Sequence, residues 1–301
     1  MRSYKFTIAV VLTLLTGLPA WASAVTLRHV LSVYADDKEV GLNQPLGIAC
    51  SDEARFAVAD TGNKRVLLFK FDGSALSLLQ NIKSGELPDP VKVAFDPQGG
   101  LVVLDGKARR LARVNDEGKF LRYIEPKGMP DGRTVIPKSF SLDSQGNIFI
   151  LDIFGARVLV LDPDGKFLRQ VSFPSDYGFF SDLLVTPKGS ILAVDSVESA
   201  LYVAAPDDKI FKVLNSNLEK SQVRFPIAIG FDERNFIYLL DKHSGSVAVL
   251  GPDGSLLEHK LSEGWTEGAL WYPAGICVND YGRAFISDTD NNRVQVFELV
   301  R

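Results

Sequence analysis

The strongest constraint on this chain is a pattern that occurs six times. In five copies a Pro is followed 15 residues later by an Asp, and in the sixth copy Phe180 takes the place of the Pro. Successive Asp residues are 43 to 47 positions apart, at Asp60, Asp105, Asp152, Asp195, Asp241 and Asp288. A period of this length is typical of repeat proteins in which each unit packs on its neighbours.

Each unit contains four short segments of β-type sequence. In the third copy these read SFSLD, IFILD, RVLVLD and FLRQVSF, rich in Val, Ile, Leu and Phe and without a helical period. Asp-Gly pairs between the third and fourth segments are typical of tight hairpin turns, at Asp72-Gly73, Asp164-Gly165 and Asp253-Gly254. The sequence therefore predicts four-stranded antiparallel sheets.

The first strand of each unit indicates how the sheets pack together. Positions two and four after the Pro are mostly small, whereas positions three and five are large and apolar. The bulky face of one sheet can then pack on the small face of the next, and six sheets around an axis form a β-propeller. The last unit has only three strands, and Thr26–Tyr34 can supply its fourth.

We therefore predict an all-β fold: a six-bladed β-propeller of four-stranded antiparallel blades, whose last blade is closed by the N-terminal strand. Residues 25–301 form a single domain, with blades near 45–80, 90–125, 137–173, 180–215, 226–261, and 273–300 plus 26–34.

The N-terminus has the pattern of a cleavable signal peptide at residues 1–24. Arg2 and Lys5 precede an apolar stretch at Phe6–Leu18, and Ala22-Ser23-Ala24 provides small residues for cleavage. We expect a periplasmic or secreted protein. No later apolar run reaches the roughly 18 residues needed to span a membrane.

The net charge argues against nucleic acid as a partner. The chain has 33 basic and 37 acidic residues, a formal charge of −4, and no basic tract. Proteins that bind nucleic acid through its phosphates carry clustered positive charge.

Two stretches resemble the NHL repeat: PLGIACSDEARFAVADTGNKRVLLF at Pro45–Phe69 and PAGICVNDYGRAFISDTDNNRVQVF at Pro273–Phe297. The resemblance extends over the other copies and is weakest in the fourth, which lacks the Pro and has Ala200 in place of an Arg. It implies a six-bladed propeller but no single function, because this fold hosts scaffolds, RNA binders and enzymes.

Residues present in every copy are interpreted as structural. The repeated Asp can accept hydrogen bonds from turn amides, and the Arg five positions later can pair with it, in the copies with Arg65, Arg110, Arg157 and Arg293.

Candidate binding residues are departures from the repeat. Lys92, Lys138 and Asp182 lie at the start of innermost strands, near the mouth of the central channel. They either meet a polar ligand there or pair with one another.

The loops that lead into the innermost strands vary most between copies. They contain the further candidates Arg133, Tyr177, Arg224 and Trp265. Arginine and aromatic residues on loops of a rigid scaffold are typical of a binding face. Other aromatic residues of these loops can instead fill gaps between blades: Phe180, Phe225, Trp271 and Tyr272.

Enzymatic interpretations are less well supported. His29, His243 and His259 fall on unrelated parts of the predicted blades, which argues against the central histidine-bound metal of propeller amidating lyases. Gluconolactonase-like propellers use Glu, Asn and Asp on the axis, and the innermost strands here offer no Glu.

We therefore predict a monomeric, non-enzymatic binding or scaffold propeller without a cofactor or metal. Its variable-loop face would contact a protein, peptide or glycan, with no nucleic acid and no membrane span. The alternative is a metal-dependent lactonase- or lyase-type enzyme with its site on the central axis.

Cys50 and Cys277 lie on the first strands of the first and last units, which ring closure makes neighbours. They form either a disulfide, which an exported protein permits, or two buried thiols.

Overall fold

A computed structural model describes residues 25–51 and 54–300. The predicted signal peptide at 1–24 lies outside the described residues. Twenty-four strands and three short 3₁₀ helices account for the regular structure of the part described. None of the helices found there is long and apolar enough to cross a membrane.

The strands form six sheets of four strands each, which we call blades 1 to 6. Blade 1 contains β2 (Pro45–Cys50), β3 (Arg55–Asp60), β4 (Arg65–Phe71) and β5 (Leu76–Ile82). Blade 2 contains β6 (Pro90–Phe95), β7 (Leu101–Asp105), β8 (Arg110–Val114) and β9 (Phe120–Ile124). Blade 3 contains β10 (Pro137–Leu142), β11 (Ile148–Asp152), β12 (Arg157–Leu161) and β13 (Phe167–Ser172).

Blade 4 contains β14 (Phe180–Val185), β15 (Ile191–Asp195), β16 (Ala200–Ala204) and β17 (Lys212–Asn215). Blade 5 contains β18 (Pro226–Phe231), β19 (Ile237–Asp241), β20 (Ser246–Leu250) and β21 (Leu256–Lys260). Blade 6 contains β22 (Gly275–Asn279), β23 (Arg283–Asp288), β24 (Arg293–Val300) and β1 (Thr26–Val33). The 3₁₀ helices are Thr61–Asn63, Glu219–Ser221 and Thr289–Asn291.

The ring closes as the sequence predicts. Strand β1 pairs antiparallel with β24, from Thr26 opposite Val300 to Val33 opposite Val294. Each innermost strand contacts the innermost strand of the next blade, and β22 of blade 6 contacts β2 of blade 1. The six-bladed architecture and its closure by the N-terminal strand are therefore confirmed.

Small residues on the innermost strands allow neighbouring blades to approach closely. A Cβ atom on Gly47 would lie 2.5 Å from the Cα of Lys92 in blade 2, and one on Gly275 would lie 2.7 Å from the carbonyl oxygen of Leu46 in blade 1. Any larger side chain at these positions would force the blades apart. The row of small residues is thus a requirement of packing around the axis.

The hydrophobic core lies between blades. Phe56 of blade 1 is fully buried, with its ring centroid 5.1 Å from that of Phe69 in the same blade and 4.9 Å from that of Phe285 in blade 6. Because both faces of each sheet are buried in this way, the second and third strands are apolar on both sides.

The repeated Asp residues tie each blade to the loop that precedes it. All six are fully buried, and each accepts a hydrogen bond from a backbone N–H in that loop. In blade 4, for example, Asp195 accepts from the amides of Gly178 (2.7 Å) and Phe179 (2.9 Å). The loop amides lose their hydrogen bonds to water when the chain folds, and these carboxylates accept hydrogen bonds from them instead.

The predicted Asp–Arg pairing holds in three of the four copies that have the Arg. Arg65, Arg157 and Arg293 each donate from Nε to the repeat Asp of their own blade. In blade 2 the expectation is wrong: Arg110 is exposed and pairs with Glu125, at 3.4 Å, instead of with Asp105.

Candidate functional site

The loops between blades lie on one face of the propeller, which we call the upper face. Within each blade the first residue of the innermost strand opposes, or nearly opposes, the last residue of the second strand, as Pro90 opposes Asp105 in blade 2. The inter-blade loops and the turns between second and third strands therefore meet at the same end of the blades. The mouth of the central channel opens at this face.

A polar network crosses the channel mouth between blades 2 and 5. Lys92 forms an ion pair with Asp182 and donates a hydrogen bond to Ser139 Oγ at 2.7 Å. Ser139 Oγ donates to Asp182 Oδ1 at 2.5 Å, and the backbone N–H of Ile229 donates to Asp182 Oδ2 at 3.2 Å. Both carboxylate oxygens of Asp182 thus have partners within the protein. Of the two alternatives that the sequence offered for Lys92 and Asp182, the structure shows pairing with each other.

Two further lysines border this network. Lys138 Nζ lies 5.7 Å from the ring centroid of Phe179, and Lys242 Nζ lies 6.0 Å from that of Tyr272. Removal of water by the surrounding protein lowers the pKa of Lys138 below its usual value. The charge of Asp182 opposes this shift, and the charges of Lys92 and Lys242 add to it.

The charges at the mouth are unbalanced. Lys92, Lys138 and Lys242 contribute three positive charges, and Asp182 contributes the negative charge that acts on Lys138. Because Asp182 is already paired with Lys92, the other two lysines lack an equivalent partner in this group. An anion bound between them would relieve their mutual repulsion.

The loop candidates do not converge on the channel. The Arg133 side chain is mostly exposed and lies 3.7 Å from Asp131. Arg224 is exposed, while its backbone N–H donates to Asp241 at 2.6 Å. Tyr177 packs at 5.0 Å from the Phe173 ring, which makes it part of the core between blades 3 and 4.

Apolar side chains are exposed around the upper face. Trp265 is 73% exposed, and its ring lies 6.0 Å from that of Trp271. Phe154 and Val197, in the turns after the second strands of blades 3 and 4, are 64% and 62% exposed. Phe180, by contrast, is buried among aromatic rings, as its gap-filling interpretation predicted.

Sequence reasoning missed Ser139 and Lys242. Ser139 occupies the same repeat position as Lys92 and Asp182, but a serine fits the small-residue row and gave no signal. Lys242 directly follows the repeat Asp241, where two other copies have Thr61 and Thr289. Those threonines donate hydrogen bonds to the next blade, so a lysine at this position was a readable departure.

The residues of the described part do not assemble a metal centre. Residues 25–51 and 54–300 contain no group of three or more His, Cys, Asp or Glu that could hold a metal ion. The Asp182 carboxylate already accepts from an ammonium group, a hydroxyl and a backbone amide. A divalent cation needs several oxygen ligands, and these three donors occupy the oxygens that Asp182 would provide. Asn279 accepts the backbone N–H of Arg283 in a turn.

Cys50 and Cys277 form a disulfide between blades 1 and 6. Their Cα atoms lie 5.9 Å apart, which is within the range for a disulfide. The bond joins innermost strands β2 and β22, at the place where the two ends of the ring meet.

Comparison with known proteins shows similarity in one repeat and in the overall fold. The NHL repeat family matches residues 270–297, which include most of blade 6. No curated protein sequence gives a significant match to the chain.

Solved structures of similar fold include enzymes at low sequence identity. A gluconolactonase from Xanthomonas campestris has a TM-score of 0.67 at 18% identity, covering 92% of this chain and 90% of that one. Virginiamycin B lyase from Staphylococcus aureus has a TM-score of 0.63 at 13% identity, covering 92% and 100%. A streptogramin B lyase has a TM-score of 0.63 at 12% identity, covering 92% and 98%. At these identities the similarity shows the fold alone. The chain is thus a closed six-bladed β-propeller with a match to the NHL repeat at residues 270–297.

Proposed function

We propose that this protein is a non-enzymatic binding propeller that works outside the cytoplasm and uses its upper face to hold an acidic segment of a protein partner. The observation that carries the proposal is the group of lysines at the channel mouth, where Asp182 pairs with Lys92 while Lys138 and Lys242 lie beside aromatic rings. The leader pattern at residues 1–24 and the disulfide are the features that support an extracytoplasmic location.

The mouth offers both charge and apolar surface to such a segment. Lys138 and Lys242 each lie beside an aromatic ring that is partly exposed, Phe179 and Tyr272. A carboxylate between the lysines would form charge-assisted hydrogen bonds, and an adjacent apolar side chain would cover the rings. The ion pair of Lys92 and Asp182 belongs to the same group of charges and engages the acid of that group.

The test is binding of an acidic peptide that contains a phenylalanine to the wild type and to two charge-matched variants. Lys138→Gln/Lys242→Gln removes two positive charges from the mouth. Lys119→Gln/Lys188→Gln also removes two positive charges, but from exposed turns on the face opposite the upper face. We expect the mouth variant to weaken binding at least about tenfold and the control variant to bind like the wild type.

A partner can be sought with the same variants. Proteins captured from a cell-envelope extract by the wild type and by the control variant, but not by the mouth variant, are the expected partners. Equal binding of the peptide by both variants would refute the role of the mouth.

A lactonase- or lyase-type enzyme is the second candidate, because structures of similar fold include enzymes of those two kinds. Its test is hydrolysis of a sugar lactone, followed by proton release, with and without added divalent cations. A rate above background that Asp182→Ala abolishes would assign the channel to catalysis and replace the binding proposal. The absence of such a rate would leave the binding proposal in place.

A further inference from the structure

A cavity of about 630 Å³ opens between blades 2 and 3. Its walls are the upper ends of β8 and β9, the inter-blade loop before Pro137, and β11. This volume is in the range of cavities that hold small molecules.

The lining of the cavity is apolar at its base. Leu111, Ile124 and Ile150 are buried in the core between these two blades, and Met129 and Val135 of the loop pack against the same core. When a ligand with an apolar body binds there, its own hydrocarbon surface and that of the cavity base would both be removed from water.

The polar part of the lining is strongly basic. Arg109, Arg110 and Arg133 all line the cavity, whereas Glu125 is its one acidic lining residue. Asp131 lies beside Arg133, but it accepts a 2.6 Å hydrogen bond from Arg157, and this bond lowers the pKa of the Asp131 carboxyl group. The lining thus carries more positive charge than its own acid can balance.

Arg110 reaches the cavity because blade 2 departs from the repeat. In blades 1, 3 and 6 the equivalent arginine is buried and neutralises the repeat Asp. In blade 2 the carboxylate of Asp105 is satisfied by the backbone amides of Asp89 and Ala108, at 2.7 and 2.6 Å. Arg110 therefore does not pair with Asp105, and instead forms an exposed ion pair with Glu125 at the cavity.

We infer that this cavity binds a small amphipathic carboxylate, with the apolar body against Leu111, Ile124 and Met129 and the carboxylate at the guanidinium groups of Arg110 and Arg133. Arginine matches a carboxylate in charge and geometry, because its planar group donates two parallel hydrogen bonds. None of the mouth residues Lys92, Lys138, Asp182 and Lys242 lines this cavity. The site therefore adds a small-molecule ligand to the proposed protein-binding function.

Met129 provides a direct reporter of this cavity. The chain has two methionines, Met1 and Met129, so protein labelled with ¹³C at the methionine methyl groups gives at most two methyl signals. The variant Met129→Leu assigns the signal of interest by its loss. Titration with 4-phenylbutyrate, a carboxylate with an apolar body, is expected to shift the Met129 signal saturably.

The controls distinguish recognition of the carboxylate charge from apolar contact alone, and binding in this cavity from binding at the channel mouth. We expect 4-phenylbutylamine, the cation of similar size, to leave the signal unmoved. Arg110→Gln and Arg133→Gln should each raise the Kd for 4-phenylbutyrate about tenfold, because each removes hydrogen bonds to the carboxylate from a charged donor. Arg28→Gln, a matched change at an exposed arginine of β1, should leave the Kd unchanged.

Three results would overturn the inference: no saturable shift with 4-phenylbutyrate, equal binding of the amine, or an unchanged Kd in both arginine variants of the cavity. Because neither Lys138 nor Lys242 lines the cavity, Lys138→Gln/Lys242→Gln should bind 4-phenylbutyrate like the wild type. Loss of binding in that variant would place the carboxylate at the mouth and also overturn the inference.

Discussion

Loss of the disulfide between Cys50 and Cys277 should destabilise the protein strongly. The bond closes a loop of 227 residues, nearly the whole propeller. In the chain-entropy relation for disulfides, a loop of this length lowers the entropy of the unfolded chain enough to stabilise the fold by about 5 kcal/mol. At about 2 °C per kcal/mol for a chain of this size, reduction should lower the Tm by roughly 10 °C.

Urea denaturation of the oxidised wild type, the reduced wild type and Cys50→Ala/Cys277→Ala measures this effect. The reduced wild type keeps both sulfur atoms in place, so it separates the loss of the bond from the loss of packing in the alanine variant. Denatured, unreduced protein should contain no reactive thiol. Two reactive thiols per chain, or a change of less than about 1 kcal/mol on reduction, would refute the reasoning.

Three further changes test the site and the repeat. Asp182→Ala should lower the free energy of unfolding by about 2–3 kcal/mol in urea denaturation, because it leaves Lys92 partly buried without its acid; no change would mean that water replaces the ion pair. Asp195→Ala should cost at least about 3 kcal/mol in the same assay, because four backbone amides lose their acceptor, whereas Asp37→Ala in an exposed turn should cost less than about 0.5 kcal/mol. Lys138 has a lowered pKa, so its positive charge is lost at a lower pH than that of an ordinary lysine. As the pH increases through that pKa towards the lysine value of 10.5, affinity for the acidic peptide should therefore fall. Over the same range the free energy of unfolding should rise, because the unfolded chain keeps the proton that the folded protein has lost. Both changes should be smaller in Lys138→Gln. A pH profile that is identical in wild type and Lys138→Gln would contradict this.

The channel site was only partly predictable. Lys92 and Asp182 depart from a row of small residues, and this departure alone placed them at the mouth. Their pairing with each other and with Ser139 depends on how far side chains reach across the ring, which the repeat pattern does not state.

The cavity between blades 2 and 3 could not be predicted from the repeat. Arg110 occupies the same position as three buried arginines, and the pattern assigned it the same pairing with the repeat Asp. Its different position follows from the amides that already satisfy Asp105 and from the conformation of the neighbouring loop. Both are properties of the folded chain.

The amino-acid sequence alone determined the number of blades, their four strands and the closure of the ring by Thr26–Val33. Those features follow from local alternation and from a period that recurs along the chain, and local patterns are written directly in the order of residues. The tertiary structure decided which charged groups neutralise one another and which remain available, as for Asp182 and Lys138. Electrostatic energies depend on distance and on exclusion of water, and both are set only when segments distant in sequence pack together.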